Sequence, residues 1–186
     1  MTSEAARSAA PQRPAVKPIP CPFTIVVDTN EYIRQHKGYR FDCVILADAN
    51  KRYAPYIIKT MTAELPAGDY SIFGMPRVII ERKTKTDLYQ SIGKRSNFVE
   101  RLEMMAETGD RNAGGYAAVV VECNDVDLLI PPPFAKRSPK SVSRTILAWR
   151  QRYPVDWYFV SGRERGEMTT FRILEKFYQS QAKILK

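Results

Sequence analysis

Residues 67–87 read "AGDYSIFGMPRVIIERKTKTD", an apolar stretch bounded by two acids and a lysine. The runs DYSIF and RVIIERK, separated by Gly74 and Pro76, predict a β-hairpin. Its second strand carries Glu81, Arg82 and Lys83 directly after Val78, Ile79 and Ile80. Side chains alternate across a strand, so Glu81 and Lys83 share one face while Ile80 and Arg82 share the other. Asp69 follows Gly68 at the start of the first strand, where the hairpin brings it near the end that carries Glu81. The reading is a solvent-facing site of two carboxylates and one ammonium.

Such a pair of carboxylates suits one hard cation, Mg²⁺ or Mn²⁺, which binds through one or two carboxylates, waters and a substrate phosphate. The ion lowers the proton affinity of a bound water and neutralises charge on a phosphodiester oxygen. Lys83, a compact point charge beside it, can orient the nucleophile and stabilise the transition state. Acid followed by acid-x-lysine is a minimal set for metal-assisted phosphodiester hydrolysis. The plainer readings are a solvated E-x-K pair and a turn aspartate. The fully apolar lead-in and the strongly basic chain tilt the choice toward a site.

A chain of 186 residues with 44% hydrophobic content is long enough for one ordinary domain. Its formal charge of +9 points to a polyanionic partner. No apolar run reaches membrane-spanning length and the N-terminus lacks a secretory apolar core, so the expectation is a soluble, intracellular protein without membrane contact. Cys21, Cys43 and Cys123 are dispersed without CxxC spacing, which suits a reducing compartment and suggests neither a disulfide framework nor a cysteine zinc site. The single histidine, His36, lies in a loop-like RQHKGY and reads as a solvated loop residue.

Residues 1–22, rich in Ala, Pro, Ser and Arg, read as a flexible tail and 23–186 as the domain. Strands are expected at 23–29, 41–47 and 56–65, before the hairpin. Helical spacing follows in TDLYQSI, with Thr86 as N-cap, and in NFVERLEMMAE. YAAVVVEC, at 116–123, is the continuous apolar run of a strand covered on both faces, which calls for helices on both sides of a sheet. A proline-rich basic loop (130–141), a helix (142–153), a strand (155–161) and a closing helix complete the chain. Lys94, Arg95, Lys136, Arg137, Lys140 and Arg144 are candidate phosphate contacts, against the bland reading of a solvated charged face.

The stretch at 68–87 has the form GD-x11-ERK-x3-D, and it resembles the active-site signature of the XPF-type structure-specific DNA endonucleases. The resemblance extends upstream to VVDTNE and downstream to FVERLEMM and AAVVVEC, covering about residues 23–180. It implies a restriction-endonuclease-like α/β core with a mixed central β-sheet flanked by helices. It also implies Mg²⁺- or Mn²⁺-dependent hydrolysis of DNA, with Asp28, Asp69, Glu81, Arg82, Lys83 and Asp87 at the active site and Asp28, Asp69 and Glu81 near the metal. Arg82, pointing away, is also readable as an ion-pair anchor, Asp87 as a first-turn helix acid favoured by the helix dipole, and Glu31 as peripheral.

Two departures stand out. Asn30 occupies a position where the family usually carries arginine, and the resemblance does not reach the family's tandem helix-hairpin-helix motifs. The expected function is a metal-dependent endonuclease, acting at branched or flapped DNA in repair, recombination or mobile-element processing. The alternatives are a non-catalytic nuclease fold that binds DNA or scaffolds a partner, and a basic nucleic-acid-binding module of other ancestry. The expected compartment is cytoplasm or nucleoid in a prokaryotic or viral setting and nucleus in a eukaryote. Val155, Trp157 and Phe159 on one face of the last strand, with Tyr158 and Val160 on the other, suggest surfaces for a homodimer or a targeting partner.

Overall fold

The computed structural model describes residues 17–33, 38–41, 55–93 and 95–184. The hairpin forms as expected: β3 (Tyr70–Ile72) and β4 (Met75–Lys83) pair antiparallel around Phe73 and Gly74. Beside β3 lies β1 (Ile19–Asp28), antiparallel to it and parallel to β2 (Tyr56–Ala63). On the other flank β5 (Tyr116–Val121) and β6 (Asp156–Phe159) add parallel to β4, giving a mixed six-stranded sheet of order β2-β1-β3-β4-β5-β6.

Parallel neighbours cannot be joined by a tight turn, and helices make the crossings. Between β4 and β5 run α2 (Lys85–Gly93), α3 (Arg95–Thr108) and a 3₁₀ turn (Arg111–Ala113). Between β5 and β6 run α4 (Asp125–Leu128) and α5 (Pro139–Arg152). The short α1 (Thr29–Ile33) follows β1, and α6 (Gly162–Ile184) closes the described chain.

The alternation read from β4 sets two cores. Val78 and Ile80 join Ile25, Val27, Ala118 and Val120 against Phe171 and Leu174 of α6. Ile79 joins Ala117, Val119 and Val121 against Leu88, Phe98, Leu102 and Trp149 of α2, α3 and α5. Val78, Ile79 and Ile80 are wholly buried, and each side chain removed from water contributes about 1.5–3 kcal/mol. That anchorage fixes where the charged end of the same strand must lie. The last strand is covered on both sides as well: Trp157 packs edge-on to Phe98 and stacks on Trp149, at 6.2 and 6.3 Å between ring centres, while Tyr158 and Val160 pack on the α6 side. Both faces of this strand thus find packing partners within the chain.

Several details differ from the sequence reading. β1 begins at Ile19, inside the segment read as tail. α2 starts two residues earlier than expected, and its cap is Thr84 rather than Thr86: the Asp87 N–H donates to Thr84 Oγ1 at 3.1 Å, and that hydroxyl donates to Asp87 Oδ2 at 2.6 Å. Residues 42–47 of the strand expected at 41–47, with Cys43 and His36, lie outside the described residues. Among the described residues no helix is long and apolar enough to cross a membrane.

Candidate active site

Gly68 delivers Asp69 to the end of β4. Its φ of +73° is the left-handed region, and a Cβ there would stand 2.5 Å from Ile79 Cγ2 and 3.0 Å from the Ile80 carbonyl oxygen, so glycine alone fits. From this turn the Asp69 N–H donates to the Ile80 carbonyl at 2.8 Å. The Arg82 N–H then donates to Asp69 Oδ2 at 2.7 Å. Two backbone bonds thus hold the first carboxylate beside the strand that carries the second.

Glu81 and Lys83 share the α2–α3 face of the sheet, as the alternation predicts. Lys83 Nζ lies 2.7 Å from Glu81 Oε1 and 4.7 Å from the centre of the Phe98 ring. Contrary to the solvent-facing reading, Glu81 is 0% exposed and the Lys83 side chain is 12% exposed. The physical reason is α3, whose Phe98 and Arg101 roof the strand end. Arg101 Nη1 donates to the same Glu81 Oε1 at 2.8 Å, and the carboxylates of Glu81, Asp69 and Asp28 all raise its proton affinity. Glu81 Oε2 is buried without a hydrogen-bond partner among the described residues. Burial, then the carboxylates of Glu81 and Glu31, push the Asp69 carboxyl well above the usual range.

Arg82 points to the opposite face and does a different job. Its Nε and Nη2 donate to Glu122 at 2.7 and 3.1 Å, and its Nη1 donates to Glu31 at 2.9 Å. The three side chains are only 8–11% exposed, so this is a buried network. Burial disfavours the Arg82 charge, but the two carboxylates outweigh it and its proton affinity rises. Tyr39 stacks on Tyr70 at 5.1 Å between centres and lies under the guanidinium, while the Tyr70 hydroxyl donates to Glu31 at 3.2 Å. Glu31, read as peripheral, is therefore a partner of the motif arginine.

The remaining site residues separate by environment. Asp28 has both oxygens taken by backbone, Oδ2 by the Asn30 N–H at 2.8 Å and Oδ1 by the Leu65 N–H at 2.9 Å. Among the described residues no group of three or more His, Cys, Asp or Glu side chains is placed to hold a metal ion together. Asp69 and Glu81 stand together at the end of β4, while Asp28 is held by backbone donors. Asp87 is the acid of the α2 cap and lines the same cleft. That cleft, about 1120 Å³, is also lined by Asp69, Glu81, Lys83, Arg101, Lys136 and Arg137. Lys140 and Arg144 line a separate hollow of about 600 Å³ on α5. Lys94 lies outside the described residues, as does the side chain of Arg95.

Arg101 and Glu122 are passed over by sequence reading, and Glu31 is misjudged as peripheral. Each meets the motif from far along the chain, and only the helical spacing of Phe98 and Arg101 hints that a cation faces β4.

A mixed sheet with α2, α3 and α5 on one face and α6 on the other, carrying buried acids at the end of β4, defines a restriction-endonuclease-like α/β protein. More particularly, the chain belongs to the ERCC4 domain family, whose description matches residues 27–161. Among solved structures it is similar to XPF from Aeropyrum pernix in complex with DNA, at 18% identity and TM-score 0.53, over 87% of this chain and 66% of that one. A second structure, XPF from Aeropyrum pernix, gives 18% identity and TM-score 0.57, over 85% of this chain and 61% of that one. The chain thus spans a little under two thirds of those relatives' length. No curated protein matches the sequence.

Proposed function

We propose that this chain is a DNA endonuclease that hydrolyses phosphodiester bonds with Mg²⁺ or Mn²⁺ in the cleft between β4, α3 and the proline-rich loop. The observation that carries this reading is the buried Glu81–Lys83 pair beside Asp69, opening into a cleft whose outer wall bears Lys136 and Arg137. The donors fit a hard divalent cation. Both are carboxylates, Glu81 Oε2 is a buried acceptor without a partner among the described residues, and the burial and then the carboxylate repulsion that raise the Asp69 proton affinity are what a cation offsets. Bound by Asp69 and Glu81, such an ion supplies Lewis acidity to a phosphoryl oxygen and a lowered proton affinity to water.

The chain's own groups do the rest. Lys83, held against Glu81, places an ammonium where charge grows on the phosphate, and burial strengthens its effect. Lys136 and Arg137 pair with backbone phosphates and set the strand along the cleft. Arg82 keeps β4, α1 and the end of β5 in register and stays out of the chemistry.

Nicking of supercoiled plasmid with and without Mg²⁺ or Mn²⁺ tests the proposal. Metal-dependent nicking is expected, with losses of roughly 10²-fold or more for Glu81→Gln and Lys83→Ala, both measured on protein shown to be folded. Nicking by either variant at the wild-type rate sinks it. One observation favours a second reading, a DNA-binding member of the fold that does not cut: Arg101 neutralises Glu81 as a cation would. Firm DNA binding with no cleavage under any divalent ion would select that reading.

A further inference from the structure

Phe134 is unusual twice over. Its ring is fully exposed, and its backbone has φ +62°, a region that bulky residues rarely adopt. The loop around it is not slack. Pro132 is buried, Ala135 packs on the core of the α2–α3 face, and the Ala135 N–H donates to the Pro132 carbonyl at 3.1 Å. Just upstream, the Tyr89 hydroxyl donates to the Leu128 carbonyl at 2.6 Å. The prolines at 131, 132 and 133 restrict the chain that leads in. The loop is pinned on both sides of Phe134 and presents its ring to solvent. Of the large apolar side chains exposed among the described residues, it alone lines the cleft of Glu81 and Lys83, and Lys136 and Arg137 follow it on the same wall.

We propose that Phe134 is a base-stacking residue, which takes the face of an unpaired nucleobase while Lys136 and Arg137 hold the adjoining phosphates. The proposal rests on the reading of the cleft as a DNA site and assigns to one residue of its wall the contact with a single-stranded arm beside the reacting bond. An aromatic face stacks on any base and finds none exposed along a continuous duplex. Cations without acidic neighbours in the same loop hold the backbone without sequence preference.

The test uses the full chain, without divalent metal, on two probes: a continuous duplex, and the same duplex with a single-stranded arm whose first unpaired position carries a fluorescent adenine analogue. Wild type is expected to bind the armed probe more tightly and to change the analogue's fluorescence. Phe134→Ala and Phe134→Leu should lose about tenfold in affinity for the armed probe and abolish the fluorescence change, with duplex binding held within about twofold, while Phe134→Trp retains both. Equal behaviour of Phe134→Ala and wild type on the armed probe, as when the ring serves a protein partner, overturns the proposal. An equal loss on both probes overturns it too, as does a wild type that binds neither. Glu81→Gln separates the two readings: it should stack like wild type while failing to cut. A wild type that stacks but never cuts removes the nuclease reading alone, and one that cuts without stacking removes this one alone.

Discussion

Arg82 shows how one residue of a functional motif can serve the fold instead. Its guanidinium lies between Glu122, at the end of β5, and Glu31, in α1, and all three side chains are nearly closed to solvent. Removing the cation leaves two buried carboxylates without their partner. Arg82→Ala should therefore destabilise the protein by about 3–5 kcal/mol, read as a lower urea midpoint. Arg82→Lys should recover only part of this, because an ammonium cannot make the forked contact with Glu122. A variant that keeps its urea midpoint yet stops cutting DNA would assign Arg82 to the chemistry. The alternation of β4 was legible because it needs only the local rule that neighbours on a strand face apart. Glu31 and Arg101 were not, because their contacts join positions 51 and 20 residues distant from their partners. Nothing local in a loop-like NEY or in a helix written FVERLEMM announces which carboxylate or cation it will meet.

Elements were legible to the extent that burial wrote a period into them. β4 and β5 were found from apolar runs because those runs are core on both faces, and β1 because its Phe23, Ile25 and Val27 are core on one. The cap of α2 was misplaced because Thr84 and Thr86 are equally good cap residues in KTKTD, and only the hydrogen bonds of Asp87 separate them. The short α4, capped by Asn124 accepting from the Asp127 N–H at 2.7 Å, has too few residues to show a period. The basic segment after it divides at Ser138, the N-cap of α5. Lys136 and Arg137 face the cleft and Lys140 and Arg144 a separate hollow, although the sequence presents all four as one run. Joint substitution of Lys136 and Arg137 by Ser should weaken duplex binding and reduce the slope of log affinity against log salt by about 0.9 for each lost phosphate contact. The same change at Lys140 and Arg144 should leave most of the slope in place. Equal effects from the two pairs would return the whole segment to one undivided charged face.

At the scale of the molecule, the fold class was legible in the succession of strands and helices, while its self-sufficiency was not. The last strand reads as needing cover on both faces, and the sequence offers the closing helix for only one of them. The Phe98–Trp149–Trp157 cluster on one side and Phe171, Leu174 and Phe177 on the other provide it internally. Light scattering at tens of micromolar should accordingly give the mass of one chain, 21.3 kDa, and a stable doubled mass would require an interface elsewhere. The formal charge of +9 works in the same direction, since like-charged copies repel at low salt.

The alternation at the end of β4 also bears on how such a chain tolerates change. Residues 81, 82 and 83 stand in one short segment, yet the outer two side chains share the cleft face of the strand and the middle one is tied into the ion-pair network on the other. Selection that sees only how much protein accumulates would hold position 82 and let 81 and 83 drift; selection that sees cutting would hold all three. A lineage that abandons catalysis but keeps the fold should therefore lose the flanking letters of ERK first and retain its arginine together with both of the acids that grip it. The middle letter is then a record of architecture, and the outer letters are a record of use.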